Sequence, residues 1–304
     1  MIKKLVKYIT DPTYRFVIND GLHLYDNMPD EAYLRRKFKA KMGKPLDLDT
    51  PKTFNEKIQW LKLYNRKPEY TAMVDKYEAK KYVAERIGNE YIIPTLGVWD
   101  SFDDIDFDVL PNQFVLKCTH DSGGLVICRD KKTFDYATAK KKIEKSLKRN
   151  YYLIHREWPY KDVPHRIIAE QYMEDPKTAE LRDYKFFCFN GEPQFLYVSQ
   201  GLEDHSTARI SFLTMNWKFA PYLRSDFKPF EELPPKPMGF DKMVEIARTL
   251  SQEHDFLRVD LYQIGTRIYF SELTFSPCAG FMPFRKPEHD LEIGNMLRLS
   301  KDVI

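Results

Sequence analysis

The stretch RVDLYQIGTRIYFSELT, residues 258–274, places two carboxylates inside a run that otherwise reads as a β-hairpin. Val259, Leu261, Tyr262 and Ile264 precede Gly265-Thr266, and Ile268, Tyr269 and Phe270 follow it. These β-branched and aromatic residues favour pleated strands around a turn. Asp260 and Glu272 sit within the strands. A three-residue loop at Gly265–Arg267 sets them directly opposite and on one face. A two-residue loop puts one of them on the other face unless a bulge restores it. Thr274 shares the face of Glu272 by the period of two. Two carboxylates this close repel unless a cation lies between them. Arg258 and Arg267 offer ordinary ion pairs. An oxygen cluster of Asp260, Glu272 and Thr274 equally suits Mg2+ carried by a nucleotide.

A second stretch, NQFVLKCTHDSGGLVICRD, reads as strand, glycine loop, strand, with Lys117 on the first strand and Asp121, Ser122, Gly123 and Gly124 in the loop. A strand lysine beside exposed backbone N–H groups can grip a polyphosphate, the ammonium supplying charge and the loop wrapping the oxygens. Neither GxxxxGK[ST] nor GxGxxG is present, so the grip is not a Walker or dinucleotide fingerprint.

The 304 residues suit two or three subdomains with a sizeable core. A net charge of +3 gives no case for a nucleic-acid partner. Cys118, Cys128, Cys188 and Cys278 form no CxxC pair. They read as buried reduced thiols, which points to a cytoplasmic protein. The basic start, MIKKLVKYITDPTYRFVIN, lacks the apolar core of a signal peptide, and no window approaches a transmembrane span. Leu5, Tyr8 and Ile9 beside Lys3, Lys4 and Lys7 make a short stripe able to touch the inner face of an anionic membrane weakly.

Residues 1–50 read as a helical N-terminal extension. Thr53 and Glu56 form a capping box that opens a helix carrying Ile58, Leu61 and Tyr64. YTAMVDKYEAKKYVAERIG reads as one further helix ending at Gly88. The spacing predicts strands over YIIPTLGVWDS, HRIIAEQYME and ARISFLTMNWKFA, a hairpin turning at Asn190-Gly191, a basic helix in DYATAKKKIEKSLKRNYY, and a helix opened by Asp241. The implied organisation is 1–50, a first lobe over 51–111, a small lid subdomain over 112–171, and a last lobe over 172–304 with the acidic hairpin.

Lys76 in MVDKYEAKKYV, Lys117 in QFVLKCTHDSGG, Glu170 in IIAEQYME, then RDYKFFCFNGEP, RVDLY and SELTFSPCAG follow the order of the ATP-grasp fold. The run from TFNEKIQWLKLYNR through FVLKCTHDSGG resembles the teichuronopeptide-biosynthesis (TupA-like) ATP-grasp family. The resemblance covers roughly 52–285 and implies an α+β fold, two α+β lobes clasping ATP. It implies that Lys76 and Lys117 contact the α and β phosphates and that the 121–124 loop closes over them. Glu170, Gln171, Tyr172 and Met173 would form the strand that binds adenine, with backbone at 171–173 reading its edge. Asp183 would contact ribose, Lys185 a phosphate, and Arg258 would steady an acyl phosphate. Asp260 and Glu272 match metal-bridging carboxylates. Thr274 departs from the E-x-N pattern usual at the second metal.

The activity so implied is an ATP- and Mg2+-dependent carboxylate–amine ligase of bacterial surface or capsular polysaccharide modification. A carboxylate attacks the γ-phosphorus to give an acyl phosphate, and an amine then expels phosphate. That chemistry needs charge stabilisation rather than a protein nucleophile. His120, Arg182, Arg209 and the run DHST at 204–207 are candidates for acceptor recognition, Arg209 as a bidentate carboxylate holder. The competing reading is a glycosyltransferase using Asp104, Asp106 and Asp108 as a D-x-D metal site for a nucleotide sugar. It leaves Lys117, Arg258 and the hairpin carboxylates unexplained.

Overall fold

The computed structural model describes residues 2–175, 181–201 and 208–300. Three helices come first, α1 (Ile2–Thr10), α2 (Pro12–Gly21) and α3 (Asp30–Met42). The expected capping box opens α4 (Phe54–Tyr64), with Thr53 accepting from the Glu56 N–H and Glu56 returning the bond to the Thr53 N–H. The single helix expected over 70–88 is instead two, α5 (Glu69–Val74) and α6 (Glu78–Ile87). The Asp75 carboxylate breaks it, accepting from the N–H groups of Tyr77 (2.8 Å) and Glu78 (3.3 Å), while the Lys76 N–H goes to the Thr119 carbonyl (3.1 Å).

Two antiparallel sheets follow. The smaller has the order β1 (Thr95–Trp99), β4 (Ile167–Gln171), β2 (Phe114–Cys118), β3 (Leu125–Cys128). It thus draws on strands from both sides of residue 111. α7 (Tyr136–Leu147) packs Ala139 and Ile143 onto its inner residues Leu116, Cys118 and Ala169. The short α8 (Tyr151–His155) leads back toward β4.

The larger sheet has the order β7 (Arg209–Thr214), β6 (Glu192–Gln200), β5 (Asp183–Phe189), β8 (Phe256–Ile264), β9 (Arg267–Thr274). Only one strand forms from the ARISFLTMNWKFA run. α9 (Phe240–Ser251) covers one face, burying Met243, Ile246 and Leu250 against Phe186, Leu257 and Val259. Each such side chain contributes roughly 1.5–3 kcal/mol. Gly239 stands at the cap of α9, and Asp241 lies in its first turn rather than opening it. α4 and α10 (Pro287–Met296) cover part of the other face, where Phe54 meets Phe187, Phe189 and Phe256. The rest of that second face is the site.

The hairpin turn corrects one expectation. Ile264 pairs with Arg267, so the loop has two residues, Gly265 (φ +58°) and Thr266. A bulge at Ser271 restores the register, and Asp260 still stands directly opposite Glu272. No helix among the described residues is long and apolar enough to cross a membrane. The four cysteines are free, with Cys118, Cys128 and Cys188 buried in strands.

Candidate active site

Side chains alternate across a strand, so one face of β5, β8 and β9 carries a continuous polar row. Lys185 pairs with Asp260, and Asp260 with Glu272; in the next row Phe187 pairs with Arg258, and Arg258 with Thr274. Asp260 is wholly buried. Its Oδ1 accepts from Arg258 Nε (2.7 Å), and its Oδ2 from Arg258 Nη2 and Lys185 Nζ (both 2.6 Å). Arg258 Nη2 also donates to Glu272 Oε1 (2.7 Å), which takes the Thr274 hydroxyl as well (3.2 Å). Arg258 rather than Arg267 therefore separates the two carboxylates, with Lys185 on the far side.

Burial pushes the Asp260 carboxyl up, and Arg258 and Lys185 work against it. The protein around the half-exposed Glu272 side chain also opposes its ionisation, but Arg258, Lys185 and Lys76 outweigh that and hold the carboxyl down at about 2. Lys185 stays firmly protonated, because Asp183 and Asp260 overcome the cost of its burial.

Above this row lies a cavity of about 330 Å3. Lys76, Lys117, Ser122, Gly123, Gly124, Glu170, Asp183, Lys185 and Glu272 all line it. Lys76 sits in the α5–α6 break, and its ammonium donates to the Asp121 carbonyl. Burial lowers its pKa, offset in part by Glu272 and Asp121. The glycines shape the loop for two different reasons. Gly123 adopts φ +111°, and a Cβ on Gly124 would meet Ser146 Oγ at 2.4 Å and Asp121 Oδ1 at 2.8 Å. Lys117 bonds Glu170 at 2.5 Å, and Glu170 also takes Lys80, whose ammonium donates to the Ile93 carbonyl (2.6 Å). Burial opposes the Glu170 charge, yet Lys117 and Lys80 bring its pKa down to about 2.

Several expected residues do not line the cavity itself, Arg258, Asp260 and Thr274 of the polar row among them. Gln171 gives its N–H to the Pro94 carbonyl (3.0 Å), and the Tyr172 hydroxyl lies between Arg129 (3.2 Å) and Glu174 (2.9 Å). Neither they nor Met173 lines the cavity. His120 is buried behind the loop, its Nε2 against the Ser146 carbonyl (3.2 Å) and its ring stacked on His165. That corrects its reading as an acceptor contact, because a ring packed against protein cannot meet substrate. Arg182 bonds Gln200 (3.2 Å) and Arg209 bonds the Ala208 carbonyl (3.2 Å), and neither lines the cavity. Residues 204–207 lie outside the described residues. Asp104 and Asp108 are exposed on the connector before β2, where Asp106 accepts the Asp108 N–H (3.0 Å), and none of the three lines the cavity.

Lys80, Tyr160 and Tyr262 line the cavity without having been expected there. Lys80 had a signal, the four-residue spacing from Lys76 that puts both on one helical side. Tyr160 had none, since HREWPYKDV shows no period. Beside it Glu157 is buried, and burial lifts its carboxyl to about 7. Buried Lys62 is brought down to about 7 by the same cause. Lys62 donates to Gln59 (3.0 Å) and to the carbonyls of His155 (3.0 Å) and Ala279 (2.5 Å).

The donor set fits a magnesium nucleotide. Asp183 Oδ1, on a cavity-lining residue, is buried with no partner, an acceptor suited to a sugar hydroxyl. Four lysines face the space that polyphosphate would fill. Among the described residues no group of three or more His, Cys, Asp or Glu side chains could hold a metal by itself. Mg2+ that keeps phosphate and water ligands needs only one or two carboxylates.

The sequence model described as TupA-like ATPgrasp matches residues 56–298. No curated protein matches. Among solved structures, D-alanine-D-alanine ligase from Helicobacter pylori is 13% identical, with a TM-score of 0.42 over 81% of this chain and 69% of that one. The ATP-grasp ligase PsnB, complexed with a minimal precursor, Mg and ADP, is 9% identical, with a TM-score of 0.41 over 89% of this chain and 68% of that one. A RimK domain ATP-grasp protein from Sphaerobacter thermophilus DSM 20745 is 11% identical, with a TM-score of 0.41 over 77% and 70%.

Proposed function

Because the chain belongs to the TupA-like ATP-grasp family, we propose that it couples a uronic acid carboxylate of a bacterial surface or capsular polysaccharide, or of its precursor, to an amino acid or another amine. Family membership makes it an ATP-dependent carboxylate–amine ligase with ATP and Mg2+ as cofactors. The reaction belongs in the cytoplasm, where both are supplied.

The observation that carries the residue roles is the Lys185–Asp260–Glu272 row, cross-linked by Arg258, beneath a cavity edged by Lys76, Lys80 and Lys117. Lys76 and Lys117 hold the inner phosphates, and the backbone of Ser122, Gly123 and Gly124 covers them. Asp183 receives the ribose. The purine lies beside β4, its edge read by backbone at Tyr172 and Met173, since the Gln171 N–H is already bonded. Glu272 lies nearest the γ-phosphate, with Thr274 beside it. Bound Mg2+ would be held by Glu272, which lines the cavity, and by Asp260 only on release of its Arg258 or Lys185 bonds, and would neutralise charge on the phosphates. Arg258 and Lys185, both fixed cations, stabilise charge on the transferring group and on the acyl phosphate oxygen. The amine then attacks the acyl carbon, phosphate leaves, and an amide forms.

The deciding experiment crosses uronic acids, free and sugar-linked, with a set of amines and measures ADP release. ADP formed only when both are present, with an amide product by mass, supports the reading. Release of UDP from a nucleotide sugar without ATP would overturn it in favour of glycosyl transfer.

A further inference from the structure

Of the fifteen large apolar side chains exposed among the described residues, seven fall between Leu5 and Leu24, on α1, α2 and the turn after them. Leu5 and Ile9 on α1 are 61% and 63% exposed, Val6 lies between them, and Leu22 and Leu24 just after α2 are each 63% exposed. These positions are not scattered singly, as surface apolar residues usually are. Leu5, Val6 and Ile9 follow the helical i, i+1, i+4 spacing that makes one continuous stripe. α1 buries none of its described residues. It is tied to α2 by the Tyr8 hydroxyl on Asn19 (2.7 Å) and by Arg15 on the Ile9 carbonyl (3.1 Å). α2 in turn docks through Phe16 onto Tyr33, Leu34 and Phe38 of α3. The α1–α2 hairpin is thus anchored to the protein while its apolar stripe faces outward.

The charge on this end chooses the occupant. Lys3, Lys4 and Lys7 are exposed beside the stripe, and α1 contains no acidic residue. Residues 1–44 hold ten Lys and Arg against five Asp and Glu, so the first 44 residues exceed the whole chain's net charge of +3 and the remainder is slightly acidic. A second copy would bring lysines against lysines, whereas an anionic lipid surface satisfies both the apolar stripe and the cations.

We infer that α1 and the residues after α2 form a docking surface for an anionic membrane, with Leu5, Val6 and Ile9 entering the headgroup–acyl boundary and Lys3, Lys4 and Lys7 meeting the lipid charges. A single stripe of this size gives reversible rather than permanent attachment.

The test is sedimentation of the full chain with phosphatidylcholine vesicles, with and without phosphatidylglycerol. Vesicle binding is read without nucleotide or glycan, so its outcome is independent of the ligase reading. The protein is expected to pellet with the anionic vesicles and to be released by high salt. Lys3→Gln/Lys4→Gln should weaken binding about 30-fold, and Leu5→Glu/Ile9→Glu should abolish it with melting temperature unchanged. Binding that is absent, equal on neutral vesicles, or untouched by both variants overturns the inference. So does a concentration-dependent dimer in lipid-free sedimentation that Leu5→Glu/Ile9→Glu dissolves, since the stripe would then belong to a second copy. The salt and lipid dependence of the unsubstituted protein decides the matter even if a variant misfolds.

Discussion

Arg166, just before β4, donates from Nη2 to the buried carboxylate of Asp75 at 2.8 Å and to Glu78 at 3.0 Å. Asp75 is the residue that breaks the α5–α6 run and so sets Lys76 on its corner. Arg166 is therefore a positioning residue for Lys76. Arg166→Met is expected to cost about 2–4 kcal/mol of stability, the scale for removing one partner of a largely buried ion pair. It should also raise KM for ATP more than it lowers kcat. Melting and steady-state kinetics together check it, because a purely structural loss would leave KM alone.

Glu272 and Lys117 touch the cavity directly, and neither lies in a hydrophobic core cluster. Glu272→Gln and Lys117→Ala should each lower ADP formation by a factor on the order of 100–1000. Circular dichroism should show the folded state retained. Turnover within threefold or so of the unsubstituted enzyme in both would dismantle the site.

The acid limb of stability has a source in Glu170. Its folded-state pKa, about 2, lies below its ordinary 4.5. The unfolded chain therefore takes up the proton first as pH falls. The contribution of Glu170 is present in full above about pH 5 and is lost as pH falls toward 2, amounting to roughly 3 kcal/mol. Glu170→Gln is expected to lower stability near neutrality and to flatten its decline below about pH 5. Denaturant titrations across that range measure both effects.

Gly123 and Gly124 should fail in different ways. Gly123→Ala meets no atom within 4 Å but must hold φ +111°, a cost of about 1–2 kcal/mol. Gly124→Ala drives its Cβ into Ser146, Asp121 and Cys118, so it should displace the loop and raise KM for ATP as well as lower the melting temperature. Comparing KM in the two variants separates strain from collision.

Periodicity carried much of the site into view. Alternation put Glu272 and Thr274 on one face, and Asp260 joined them either through a three-residue loop or through a bulge, the second being what the hairpin has; the Asn190-Gly191 turn and Thr53 cap lie where local chemistry demands them. What was hidden is tertiary. Residues 70–88 read as one helix, and only the bonds that the Asp75 carboxylate accepts from the Tyr77 and Glu78 N–H groups and that the Lys76 N–H gives to Thr119 reveal the break. A one-residue bulge such as Ser271 leaves no trace in the alternation of short strands. His120 looked exposed because it borders a polar loop, but a loop's inward side has no sequence signature. Tyr160 comes from an irregular segment and reaches the cavity only through packing.

Lys76 is joined to the strand-and-loop element twice, by its N–H on Thr119 and its ammonium on Asp121, and Arg166 adds a third link through Asp75. In mechanical terms the glycine loop and the tip of the lysine hook are one lever. Swinging the loop over a nucleotide either carries the Lys76 ammonium along or breaks its bond to Asp121, while the links at Thr119 and Arg166, outside the loop, hold the backbone of the hook in place.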